Sequence, residues 1–267
     1  MKRFFLLCWL CAQCALAQAA GFDHAQWDQL LKKHVTVLNH GQSSQVDYAG
    51  MALERNALDQ YLSKLAKVSQ ADFDQWDRPS QLAFLINAYN ATTVSLVLTR
   101  YPNLVSIKDL GSVFQSAWKK PFIGLLGQMR SLDDIEHGLI RGSGRYADPR
   151  VHFAANCASI GCPALRAEAY QAARLEIQLD DATKAFLSDR SRNRLQQNTL
   201  ALSSIFKWYR SDFEMNWRGA SSMARFLANY GQALGLSAIE TERLVRGEIS
   251  IEFLDYDWRL NARAPRS

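Results

Sequence analysis

The chain has 267 residues and a formal charge of +5, is 48% apolar and contains only six prolines. That much apolar chain, with no low-complexity linker or internal repeat to divide it, is expected to form one domain with a sizeable core. So mild a positive balance gives no argument for nucleic acid, which would call for a clustered basic stripe; the densest basic run, Arg190 to Arg194, is interrupted by polar residues and reads as a solvated loop.

In chain order, Lys2 and Arg3 precede an apolar run from Phe4 to Leu16, and Ala15-Leu-Ala-Gln-Ala-Ala20 offers A-x-A cleavage sites. This is the pattern of a secretory signal peptide over residues 1–20, too short to span a bilayer, so an exported chain, periplasmic or secreted, without stable membrane insertion is expected. Cleavage would remove Cys8, Cys11 and Cys14 and leave Cys157 and Cys162 as the remaining pair in an oxidising compartment.

Asp23 to Gly41 carries Trp27, Leu30, Leu31 and Val35 at helical spacing, and Met51 to Ser69 does the same with Leu53, Leu58, Leu62 and Leu65. Ser80 to Arg100 is apolar almost all round and belongs in the middle of the core. Asn87 and Asn90 fall on one face of it and need partners there. Pro121 to Arg130 predicts a hairpin, and Ser131-Leu-Asp-Asp134 a capping box for a helix carrying His137 and ending at Arg141-Gly142. Val151, Phe153 and Ala155 alternate with His152, Ala154 and Asn156, which predicts a strand of about six residues. Helical pattern resumes from Pro163 to Leu187 and again at Ile205 to Phe213, Ser221 to Gly231 and from Ser237 onward. Arg194 to Ser203 predicts a hairpin, and Ile249, Ile251 and Phe253 a last strand. The sum is an α+β fold, a helix-rich single domain over 21–267 around a small, mainly antiparallel sheet.

Chemistry concentrates in Arg150-Val-His-Phe-Ala-Ala-Asn-Cys-Ala-Ser-Ile-Gly-Cys-Pro163. Cys157 and Cys162 suit a disulfide closing a short loop, a thiolate at Cys157, or, with His137 and His152, a zinc site at the edge of the usual spacing. In the thiolate reading His137 or His152 activates Cys157 and Asn90 or Asn156 orients the imidazole. A regular strand would put His152 and Cys157 on opposite faces, which favours His137. Cys157, His137, His152 and Asn90 are thus the candidate catalytic residues, and Asn87, Asn156, Ser159 and Arg166 candidate substrate contacts. Arg166 also has an ion pair with Glu136 open to it. Asp257 and Trp258 read as structural, and His24, His34 and His40 as exposed. No cofactor is called for, and nothing identifies a partner.

Ala83-Phe-Leu-Ile-Asn-Ala-Tyr-Asn90, Ser131-Leu-Asp-Asp-Ile-Glu-His137, Val151-His-Phe-Ala-Ala-Asn-Cys157 with Gly161-Cys-Pro163, Ile205-Phe-Lys-Trp-Tyr209 and Tyr256-Asp-Trp258 with Asn261 together resemble the domain of unknown function 547 family, from about residue 80 to 261. The resemblance implies no activity. Its cysteine positions agree with the bacterial-type pattern, and the fusion of some relatives to glutaredoxin-like domains implies a thiol connection. A cysteine-dependent hydrolase or transferase is the leading expectation, against a non-catalytic binding or scaffold protein braced by a Cys157–Cys162 disulfide, and against zinc.

Overall fold

The computed structural model describes residues 21–112 and 115–264, so the expected signal peptide at 1–20 lies outside the described residues. Helix α1 (Ala25–His34) buries Trp27, Leu30, Leu31 and His34 along one face. It stops short of the expected Gly41, because Val35-Thr-Val is a β-branched run that suits a strand better than another helical turn. Strand β1 (Val35–Leu38) instead pairs antiparallel with β2 (Ser43–Val46), and Asn39, His40 and Gly41 turn the chain with positive φ (49°, 57° and 92°). The helix expected over Met51 to Ser69 is two, α2 (Tyr48–Leu53) and α3 (Arg55–Ala66), broken at Glu54. His34, expected on the surface, is buried with its Nε2 2.9 Å from Glu54, and His24 is half-buried against the Tyr61 hydroxyl.

After the short α4 (Gln70–Asp74), α5 (Arg78–Leu98) runs 21 residues through the centre of the molecule. Asp77 caps it by accepting from the Ser80 N–H, and Pro79 sits in its first turn. Every residue from Gln81 to Val97 is buried. By length and composition alone the helix could cross a membrane, yet its whole circumference is covered by protein, which is why it needs no polar face.

The second half follows the sequence reading in its local signals and departs from it where several segments meet. Strands β3 (Ile123–Leu125) and β4 (Gln128–Arg130) form the expected hairpin. Ser131 and Asp134 complete the capping box, with the Asp134 N–H donating to Ser131 Oγ and the Ser131 N–H to Asp134 Oδ2. The helix they start is a wide π turn over Asp134–Arg141, closed by the Gly142 N–H on the His137 carbonyl at 2.8 Å. The strand expected at Val151 is a 3-10 turn, Pro149–Phe153, capped by Asp148. Its residues alternate for another reason: Val151 packs into the cluster around α5, whereas Phe153 packs into a second cluster with Phe186, Phe206 and Phe226. About three residues per turn send Val151, His152 and Phe153 in three directions.

Helix α6 (Leu175–Leu187) begins well after Pro163. Side chains claim the backbone before it: Ser44 Oγ accepts from the Leu165 N–H, Asp28 Oδ1 from that of Ala169 and Asn87 Oδ1 from that of Tyr170. Strands β5 (Arg194–Gln196) and β6 (Thr199–Ser203) form the expected hairpin, and β7 (Ser250–Leu254) joins β6 in parallel. Two single turns, α7 (Ile205–Trp208) and α8 (Arg210–Phe213), then α9 (Met223–Ala228) and α10 (Ala238–Val245), fill the space between. The fold is α+β and helix-rich, with its strands shared among three small sheets.

Candidate functional site

A cavity of about 230 Å³ opens where the π turn, the 3-10 turn, the cysteine loop, α7 and the C-terminal segment meet. Cys157, Cys162, His137 and His152 all line it, although no strand brings them together. The 3-10 turn does, by removing the strict alternation that would have set His152 and Cys157 on opposite faces.

Cys157 and Cys162 are within disulfide distance, with their Cα atoms 6.1 Å apart. The Cys157 N–H donates to Cys162 Sγ at 2.8 Å, and the Tyr256 hydroxyl lies 3.2 Å from each sulfur. The loop is held on its outer side by backbone bonds from Ile160 to Arg259 and from Gly161 to Asp257. Gly161 lies so close to the Tyr256 ring that a Cβ there would meet three ring carbons at 3.0 Å. Arg192, from the run expected to be solvated, instead donates to the carbonyls of Cys162 and Gln42.

Both imidazoles are engaged away from sulfur. His152 Nε2 donates to Asp212 Oδ2 at 2.8 Å, and its ring stacks on Tyr209 at 3.9 Å between centroids. Arg141 grips the same Asp212 with two bonds, at 2.6 and 2.9 Å. Burial opposes the charge on Asp212, but the bonds from Arg141 and His152 overcome it and hold its carboxyl well below the usual carboxylate range. Arg141 Nη1 also donates to His137 Nδ1 at 2.9 Å, which puts the proton of a neutral His137 ring on Nε2, 3.8 Å from Asp133. Burial pushes the Asp133 carboxyl up, with His137 opposing.

The remaining wall was not singled out as a site by the sequence reading. Glu136, on the π turn, is 8% exposed and lines the cavity together with Tyr89 and Tyr209. It enters no ion pair among the described residues. Burial raises the pKa of Tyr89, Tyr209 and Tyr256 far above neutrality, so all three stay protonated donors. Trp118, Trp208 and Trp258 complete the lining. Trp258, expected to be structural, thus faces the cavity. The signal for these residues lay in the Ile205 to Tyr209 and Tyr256 to Trp258 stretches, whose dense aromatics no period explains.

Several candidates lie elsewhere. Asn90, expected as a catalytic amide, spends its side chain on the backbone: Nδ2 donates to the Ala154 carbonyl at 3.0 Å and Oδ1 accepts from the Asn156 N–H at 2.8 Å. Asn87 does the same with both backbone groups of Tyr170, at 2.8 and 3.0 Å. Asn156 ties the Pro163 carbonyl to the Ala158 N–H. These three amides, expected at substrate or catalyst, form a latch behind the cavity. Ser159 is buried beside the Cys157 carbonyl and is not part of the lining. Arg166 pairs with Glu168, not Glu136, and lines a separate groove of about 920 Å³. Among the described residues no three His, Cys, Asp or Glu side chains converge as metal ligands, so the zinc quartet is not assembled.

No curated protein and no solved structure matches the chain. Residues 73–187 match the family model described as protein of unknown function, DUF547. That segment carries Glu136, both histidines and both cysteines, and it ends before Tyr209, Tyr256 and Trp258, so part of the cavity wall comes from outside it. Over residues 73–187, then, the chain resembles the DUF547 family.

Proposed function

We propose that this chain is an exported small-ligand-binding protein whose cavity is braced, not served catalytically, by the Cys157–Cys162 disulfide. The observation that carries the reading is the engagement of the sulfurs and imidazoles. The two sulfurs face each other and Tyr256, while His152 is bonded to Asp212 and His137 to Arg141. A thiolate nucleophile needs an imidazole within hydrogen-bond reach of sulfur. Concave, largely apolar walls with a few converging polar groups are what a small-molecule site requires, and this cavity combines rings of six aromatic residues with Glu136 and Asp133.

The second reading is a cysteine-dependent hydrolase or transferase active in the reduced form, favoured by one observation: Cys157 shares the cavity with His137 and His152. One experiment separates them. A small-molecule library is screened by tryptophan fluorescence and thermal shift on the oxidised chain, on the reduced chain and on Cys157→Ser. Binding to the oxidised chain that survives in the variant supports the binding protein. Turnover of an ester or amide that begins only on reduction and disappears in Cys157→Ser would replace it with the thiol enzyme.

A further inference from the structure

We propose that the cavity takes a small organic cation, a methylated ammonium group seated on aromatic rings and neutralised by Glu136. This deepens, and rests on, the reading of the cavity as a ligand site. The first support is charge. Glu136 is 8% exposed, enters no ion pair among the described residues, and shares the cavity wall with Tyr89 and Tyr209, whose hydroxyls carry no positive charge. Arg141, whose charge reaches Glu136, has its fork committed to Asp212. No Lys or Arg lines the cavity, whose carboxylates are Glu136 and Asp133. A buried carboxylate with no countercharge is costly, and a cation entering the cavity would remove that cost.

The second support is the wall. Trp208, Tyr256 and Trp258 pack with ring centroids 4.5 to 5.6 Å apart, and Trp118 meets Trp258 edge-on at 5.8 Å. Aromatic faces carry negative potential and attract cations within about 6 Å of the centroid. Trp258 already holds one, the Lys108 ammonium, 4.9 Å from its ring centroid. Size agrees: 230 Å³ is the volume of about eight waters at roughly 30 Å³ each, room for a head group and not for an oligomer. A sugar would also stack on these rings. It would, however, leave the Glu136 charge without a cation, so the cation fits the chemistry better.

The test uses the full chain after any leader is removed, read by tryptophan fluorescence and calorimetry. The probes are choline, tetramethylammonium, glucose and 3,3-dimethylbutan-1-ol, the uncharged carbon counterpart of choline. Choline is expected to bind at least about tenfold more tightly than its uncharged counterpart, and Glu136→Gln, which keeps the size and removes the charge, to bring the two within about twofold. The comparison on the unaltered chain decides even if the variant fails to fold. Equal affinity for choline and the uncharged alcohol overturns the proposal, as does a Glu136→Gln chain that keeps the preference, or no cation binding up to about 10 mM. If glucose or a neutral library compound saturates the tryptophan signal while the cations do not, the cation falls and the ligand site stands. If nothing binds, both fall.

Discussion

Two regions of this molecule bury charge and resolve it in opposite ways. Around Arg150, which is 1% exposed, every charge is answered: Asp148 and Glu176 each take two or more bonds from its guanidinium, Trp217 lies over its face, and Arg218 adds a second cation to Glu176. Glu136, by contrast, enters no ion pair among the described residues, and the charge of Arg141 reaches it only from a distance. A saturated cluster is complete without a ligand and serves the fold. An unpaired carboxylate beside a cavity is the setting in which an entering cation would lower the cost of burial. The contrast holds within the site as well, since Asp212, one residue pair away across Tyr209, has both Arg141 and His152.

The sharpest way to break this comparison is to delete one charge from each region. Arg150→Ala leaves Asp148 without a cation, while Glu176, 60% exposed, keeps Arg218; it should destabilise by about 2 to 3 kcal/mol in urea unfolding, whereas Glu136→Gln should change stability by under about 1 kcal/mol. A Glu136→Gln chain as unstable as Arg150→Ala would make Glu136 a structural charge and remove the distinction. Next in size is the amide latch: Asn90→Leu leaves the Ala154 carbonyl and the Asn156 N–H without partners and should cost about 2 kcal/mol by the same measurement. An unchanged midpoint would mean the cysteine loop is held without Asn90.

Gly161→Ala should cost about 1 kcal/mol or less of stability while altering the environment of Tyr256, because the added methyl meets the ring at 3.0 Å. Near-ultraviolet circular dichroism with no change at all would contradict that contact. The smallest effect is acid dependence. Glu176, bonded to Arg150 against the cost of its burial, is held down to about 2 from an ordinary 4.5. A depressed carboxyl stabilises the fold fully above its unfolded value and loses that contribution as pH falls through the folded one. Stability should therefore decline between about pH 4.5 and 2, and Glu176→Gln should flatten the decline. A melting profile of identical slope in the variant would show that Glu176 contributes nothing to it.

The latch shows how legible the sequence was. That Asn87 and Asn90 sit in an almost wholly apolar helix was enough to expect buried amides with obligatory partners, since burying an amide unpaired costs several kcal/mol in an apolar medium. Which partners they had was not legible, and assigning Asn90 to catalysis placed it a layer too close to the cavity. The alternation at Val151 to Ala155 misled for a related reason: period two arises in a strand with one buried face, but also in a tight turn wedged between two cores.

What the sequence determined by itself was whatever depends on neighbours along the chain. The capping boxes at Ser131 and Ser237 and the hairpin at Arg194 to Ser203 all rest on bonds between residues a few positions apart. What only the tertiary structure decided was the composition of the cavity. Cys157 meets Tyr256 across 99 residues and His152 meets Asp212 across 60, and such pairings are set by how two hydrophobic clusters close on each other, not by any local preference. Glu136 is the clearest case. On the sequence it is one acid in a capped helix, and only the packing of the chain puts it, buried and outside any ion pair among the described residues, in one wall with Tyr89, Tyr209 and the tryptophans.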